Sequence, residues 1–74
     1  MNADNYIYVD ESGPAIAVYA ASGEVPARVF VVGEENRQYE QDQVFEDIHD
    51  ARRYAERYAA ALATTLGCDW GTNY

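Results

Sequence analysis

The chain has 74 residues, and its 13 Asp and Glu against 5 Lys and Arg give a formal net charge of -8. That length is short of the ~100–150 residues of a common domain, so residues 1–74 read as one small domain without a large interior substrate cavity. The acidity opposes direct binding to nucleic acid and to an anionic membrane, both of which need a cationic surface.

Three short apolar runs open the sequence. Tyr6-Ile7-Tyr8-Val9 is followed by the turn signal Asp10-Glu11-Ser12-Gly13-Pro14. Ala15-Ile16-Ala17-Val18-Tyr19-Ala20 follows, closed by Ser22-Gly23-Glu24 and Pro26. Arg28-Val29-Phe30-Val31-Val32 is the third, closed by Gly33. β-Branched and aromatic residues punctuated by Gly and Pro predict strands over about 6–10, 15–21 and 28–32. The short connections favour antiparallel hairpins. A period of two puts Ile7, Val9, Ile16 and Val18 on the buried face. For the third strand the alternation leaves two choices, Val29 with Val31 or Phe30 with Val32, and the second pair is favoured here.

Residues 34–46 are polar, with Tyr39, Val44 and Phe45 as the apolar members, and read as a loop or as a fourth strand. A helix is predicted over about 48–66. Asp47 is a good N-cap, Asp50 suits the first turn, and Gly67 suits the residue after the end. Ile48, Ala51, Ala55, Tyr58, Ala59, Leu62 and Leu66 recur at the spacing of one helix face. The tail, residues 67–74, carries Trp70 and Tyr74, which could fold back on the core. The predicted class is α+β: a three-stranded or four-stranded antiparallel sheet, then a C-terminal helix packed on one face.

The charge is uneven. Residues 1–46 hold Asp4, Asp10, Glu11, Glu24, Glu34, Glu35, Glu40, Asp42 and Glu46 against only Arg28 and Arg37. In the helix Asp47, Asp50 and Glu56 are balanced by Arg52, Arg53 and Arg57, and Asp50–Arg53 and Glu56 with Arg52 or Arg53 fit weak helical ion pairs. If residues 39–46 are extended, Glu40, Asp42 and Glu46 share a side. Strand residues two apart lie roughly 6.5–7 Å from one another, a pitch comparable to that of phosphates along a nucleic-acid strand. Such a row could occupy a groove built for phosphates, with an attraction that weakens in salt. The plain alternative is that the charge keeps a small protein soluble. Self-repulsion weighs against it, because the balanced helix shows that a neutral surface was accessible. Tyr6, Tyr8 and Tyr19 are candidates for the open sheet face, as cross-strand packing or as an interface.

Sites of chemistry are few. Hydrophobic residues make up 49% of the chain, so it is not a disordered acidic tail. No apolar run approaches the ~18–20 residues that span a bilayer, and the polar start Met1-Asn2-Ala3-Asp4 is unlike a signal peptide, so a cytoplasmic location is expected. His49 reads as a surface side chain. Cys68, the single Cys, can form no disulfide within the chain and has no second Cys or His cluster for zinc. No calcium loop or glycine-rich phosphate loop occurs. No enzyme activity, catalytic residue, cofactor or metal is expected.

Small size, the acidic cluster Glu34, Glu35, Glu40, Asp42 and Glu46, and the α+β outline give the chain a resemblance of type. It resembles the phage-encoded anti-CRISPR and anti-restriction proteins that act as DNA mimics, although it carries no diagnostic motif of theirs. The resemblance implies a non-enzymatic inhibitor in the cytoplasm of an infected bacterium. Its partner would be a basic, nucleic-acid-handling surface of a Cas complex. Glu34, Glu35, Glu40, Asp42 and Glu46, with Asp10 and Glu11, are the expected partner-binding residues. The balanced helix departs from a mimic that is acidic on every face. The alternative is a small adaptor that self-associates through its Tyr-bearing sheet face, so a monomer or a weak homodimer is expected. A third reading has the target bound by shape and aromatics, with charge only steering the encounter.

Overall fold

The computed structural model describes residues 3–10 and 13–74. Strands β1 (Asn5–Tyr8), β2 (Ala15–Tyr19) and β3 (Arg28–Val32) form the centre of an antiparallel sheet. A 3-10 turn, Glu34–Asn36, leads into β4 (Gln38–Glu40). Helix α1 (Ile48–Leu66) follows, and then β5 (Gly71–Thr72). The sheet order is β4-β3-β2-β1-β5. The expected α+β class is therefore present, with five strands. The fifth, from the tail, pairs with β1 and closes that edge.

Register explains the core. Ile7 pairs with Ile16, which pairs with Val31; Val18 pairs with Val29. One face then carries Ile7, Ile16, Val18 and Val29, all fully buried, together with Val9. The preference for Phe30 and Val32 on this face is overturned: Val29 is sealed beneath the helix and Phe30 points to the opposite face. Alternation within β3 could not decide this, because both of its faces are apolar. Pairing with Val18 decides it.

Helix α1 lies on that face through Ala51, Ala55, Ala59 and Ala63, all buried. Methyl groups let the helix approach closely while the branched strand side chains fill the space between the layers. Asp47 caps its start, accepting from the His49 backbone N–H at 2.7 Å. Gly67, at φ 72°, ends it in the left-handed conformation. Leu66 departs from the expected apolar face and is 56% exposed. The expected helical ion pairs of Arg52, Arg53 and Glu56 do not form among the described residues. Arg52 instead donates to Asn5 Oδ1 at 2.7 Å and lies 4.8 Å from the Tyr74 ring centre, while Glu56 accepts from the Tyr74 hydroxyl.

The tail is thus a strap. Asn73 N–H donates to the Tyr6 carbonyl at 3.1 Å, and the Tyr6 N–H donates to Asn73 Oδ1 at 2.8 Å. The Cys68 thiol donates to the Val9 carbonyl at 2.9 Å, which pins the chain just before the strap. No helix among the described residues is long and apolar enough to cross a membrane.

Candidate functional site: an acidic edge beside an open aromatic face

Strand β4 is one free edge of the sheet, and the acidic segment wraps it. Gly33 N–H donates to the Arg37 carbonyl and Gln41 N–H to the Val29 carbonyl. With β3 and β4 antiparallel and Val31 opposite Tyr39, every second residue bonds inward. The backbone groups of Gln38 and Glu40 therefore point out from the edge. Beyond Gln41 the chain leaves the ladder and rejoins it where Phe45 pairs with Ala27. Three residues, Asp42 to Val44, bulge out opposite the single Arg28. The extended row expected over 39–46 is consequently broken. Glu40 stays on the strand, Asp42 rides the bulge, and Glu46 lies past it, near the helix start.

Glu34 and Glu35 occupy the tight 3-10 turn before β4. Glu35 has φ 57° and Asn36 φ 59°, both left-handed. Asn tolerates this region, but a Glu there is held against a steric penalty of roughly 1–2 kcal/mol. Gly33, Glu34, Glu35, Arg37 and Tyr39 line an open cavity of about 460 Å³. Gly13 and Pro14 line a second cavity with Gly33 and Glu34, so the turn that carries Asp10 is a neighbour of Glu34. Glu11 lies outside the described residues. The fold thus gathers Glu34, Glu35 and the Asp10 turn at one end of the sheet, with Glu40 along the edge and Asp42 and Glu46 farther off.

Glu34, Glu35, Glu40, Asp42 and Glu46 are all exposed, and none makes an ion pair or a side-chain hydrogen bond with another described residue. The one ion pair among the described residues joins Asp47 to His49 Nδ1 at 2.8 Å. That contact belongs to the helix cap. The backbone N–H of His49, and then its ring, hold the Asp47 carboxyl below its ordinary value.

The sheet face away from the helix is aromatic. Tyr6 stacks on Tyr8 at 6.1 Å between ring centres, and Tyr19 meets Phe30 edge-on at 5.2 Å. The Arg28 guanidinium sits 5.1 Å from the Tyr19 ring centre and 5.8 Å from that of Phe30. This packing leaves Tyr19 only 4% exposed with no described element packed above it. The Tyr19 hydroxyl donates to Gln38 Oε1 at 3.3 Å, which ties the face to the acidic edge strand. Arg28 Nε is buried with no acceptor. Glu40 pairs with Phe30 across β3 and β4, so its carboxylate borders the aromatic patch. Sequence reading placed Tyr6, Tyr8 and Tyr19 here but missed Phe30 and Arg28. Their only signal is the register with Ala17 and Tyr19, which needs the paired strands.

No group of three or more His, Cys, Asp or Glu side chains among the described residues is arranged to hold a metal ion. His49 is on the surface and Cys68 is a half-buried free thiol. The chain matches no protein-family model, no curated protein and no solved structure.

Proposed function

We propose that this chain is a non-enzymatic inhibitor that uses its acidic edge to occupy a basic, nucleic-acid-binding groove of a defence complex, in the manner of an anti-CRISPR protein. The observation that carries the proposal is the set Glu34, Glu35, Glu40, Asp42 and Glu46, exposed around a free sheet edge and making no ion pair with another described residue. A surface meant only for solubility gains nothing from holding Glu35 in a strained backbone conformation. A surface meant to present a carboxylate at a fixed angle does. The outward N–H and C=O groups of Gln38 and Glu40 add hydrogen-bonding capacity beside the charge.

The test is competition with target DNA for purified CRISPR–Cas complexes, over a range of salt. The variant combines Glu34→Gln, Glu35→Gln, Glu40→Gln and Asp42→Asn. Exposed ion pairs each contribute ~0.2–1 kcal/mol, so losing four weakens inhibition by roughly thirtyfold. Wild-type inhibition declines as salt rises, and the variant keeps its circular dichroism spectrum. Equal inhibition by a folded variant overturns the proposal.

A second reading rests on the aromatic face: a small adaptor that self-associates through Tyr6, Tyr8 and Phe30. It is favoured by the absence of any described element packed over those rings. It requires a salt-tolerant dimer that Tyr8→Ala breaks, and a chain that stays monomeric at high concentration rules it out.

A further inference from the structure

At the β5 edge, away from the acidic segment of β4, Tyr8, Asp10, Asp69, Trp70 and Gly71 line an open cavity of about 320 Å³. We propose that this cavity binds the guanidinium of an arginine side chain presented by a protein partner.

The notch comes from the strand pairing. Gly71 lies opposite Tyr8 in the β1–β5 register, and a Cβ built on Gly71 meets nothing within 4 Å. Where another residue would cover Tyr8, there is open space. Tyr8 and Trp70 remain 50% and 38% exposed. Trp70 makes no ring contact and no side-chain hydrogen bond with the other described residues, and part of its surface is exposed beside Tyr8. The Cys68–Val9 hydrogen bond holds the end of β1 beside the turn before β5, and so sets Asp10 and Asp69 on one rim.

Ring faces are negative and so is the Asp69 carboxylate, and none of the described residues lining the cavity is a cation. A cationic guest is therefore preferred over a neutral or anionic one. The volume is at the low end for small-molecule sites, enough for one long side chain. A flat, weakly hydrated guanidinium can lie on an indole while its N–H groups reach carboxylates, whereas a compact, strongly hydrated ammonium fits such walls less well. Two carboxylates are far short of the six to eight oxygens a calcium ion takes. For the identity of the partner the inference rests on the proposed function: a basic groove supplies arginines, and this notch would anchor one of them outside the acidic edge.

Trp70 is the only Trp, so its fluorescence and its indole NMR signal report on this cavity alone. The probe is N-acetyl-arginine methylamide, titrated at constant ionic strength. The matching citrulline compound is the neutral isostere. The arginine probe is expected to give a saturable Trp70 response in the millimolar range, with citrulline about tenfold weaker. Gly71→Val, which fills the notch at a position without a positive φ, abolishes the response, and Asp69→Asn weakens it about threefold. Free L-arginine binds less well than the capped probe, because its own carboxylate meets Asp10 and Asp69. Equal responses to arginine and citrulline, or no saturation, overturn the site. Tighter binding of free L-arginine overturns the protein source. If Gly71→Val fails to fold, the exposed Asp69→Asn carries the decision, and an unchanged affinity in it overturns the proposal. No target complex is present, so an inert cavity in a protein that still inhibits separates this failure from failure of the proposed function.

Discussion

Replacing Ala55 by Leu tests how the two layers meet. Ala55 is fully buried in the middle of α1, in a cluster with Ile7, Ile16, Val18 and Val29. The change adds an isopropyl group. Were the layer loosely filled, burying that group would add about 2 kcal/mol of stability. In a close-packed interior it must push the helix off the sheet, at a cost of about 1–3 kcal/mol. The two outcomes differ in sign, and helix propensity separates Leu from Ala by only a few tenths of a kcal/mol. A domain of this size has a total stability of roughly 4–11 kcal/mol, so the loss is a large share. With a urea slope of about 1 kcal/mol/M, the unfolding midpoint falls by about 1–3 M. Far-ultraviolet circular dichroism in urea is the assay. Ala61→Leu on the exposed side of the same helix is the control and stays within about 0.5 kcal/mol of wild type. An Ala55→Leu protein as stable as wild type, or more so, would refute close packing here.

Two pH predictions follow from the ends of the structure. Asp47 has its carboxyl held below the ordinary 3.8 by the His49 N–H and ring, so its stabilising effect is complete above 3.8 and is lost as pH falls through the lowered value. The stability gap between wild type and Asp47→Ala should therefore be constant at neutral pH and close in acid; a gap that persists in strong acid contradicts the cap. Tyr74 has its hydroxyl pushed up to about 12, first by burial and then by the Glu56 carboxylate, from the ordinary 10.0. A raised value means that the neutral phenol is the form the fold prefers. The strap keeps its full contribution below pH 10 and loses it as pH rises through about 12. In an absorbance titration Tyr74→Phe removes a tyrosine that titrates near 12, and at neutral pH it speeds amide exchange at Asn73. Loss of a tyrosine that titrates near 10 would contradict the contact with Glu56.

Much of the fold is legible along the chain because its determinants are local. Asp47 and Gly67 mark the helix ends through their own side-chain and backbone chemistry. Ala51, Ala55, Ala59 and Ala63 recur once per turn, so their common face follows from helix geometry alone. Residues 6–9, 15–19 and 28–32 show strand character through branching and flanking turns. The acidic candidates are legible as well, since exposure is the default for Glu and Asp. Their arrangement is not. The bulge at Asp42–Val44 arises because Phe45 must return to pair with Ala27 and pack near Tyr54, at 5.4 Å between ring centres. No neighbouring residue in the sequence announces that demand.

The sequence by itself determined the helix and the three central strands, where the helix stops, and that the excess negative charge falls outside the helix. Each of these depends on residues within a few positions of one another. Tertiary structure alone decided that Val29 rather than Phe30 faces the helix, that the tail pairs with β1, and that Gly71 leaves a notch beside Tyr8 and Trp70. Those choices depend on register between segments up to 67 residues apart, such as Tyr6 and Asn73. Shifting a strand by one residue exchanges its two faces. In β3 both faces are apolar, so hydrophobicity cannot choose between them, and only the partner strand can.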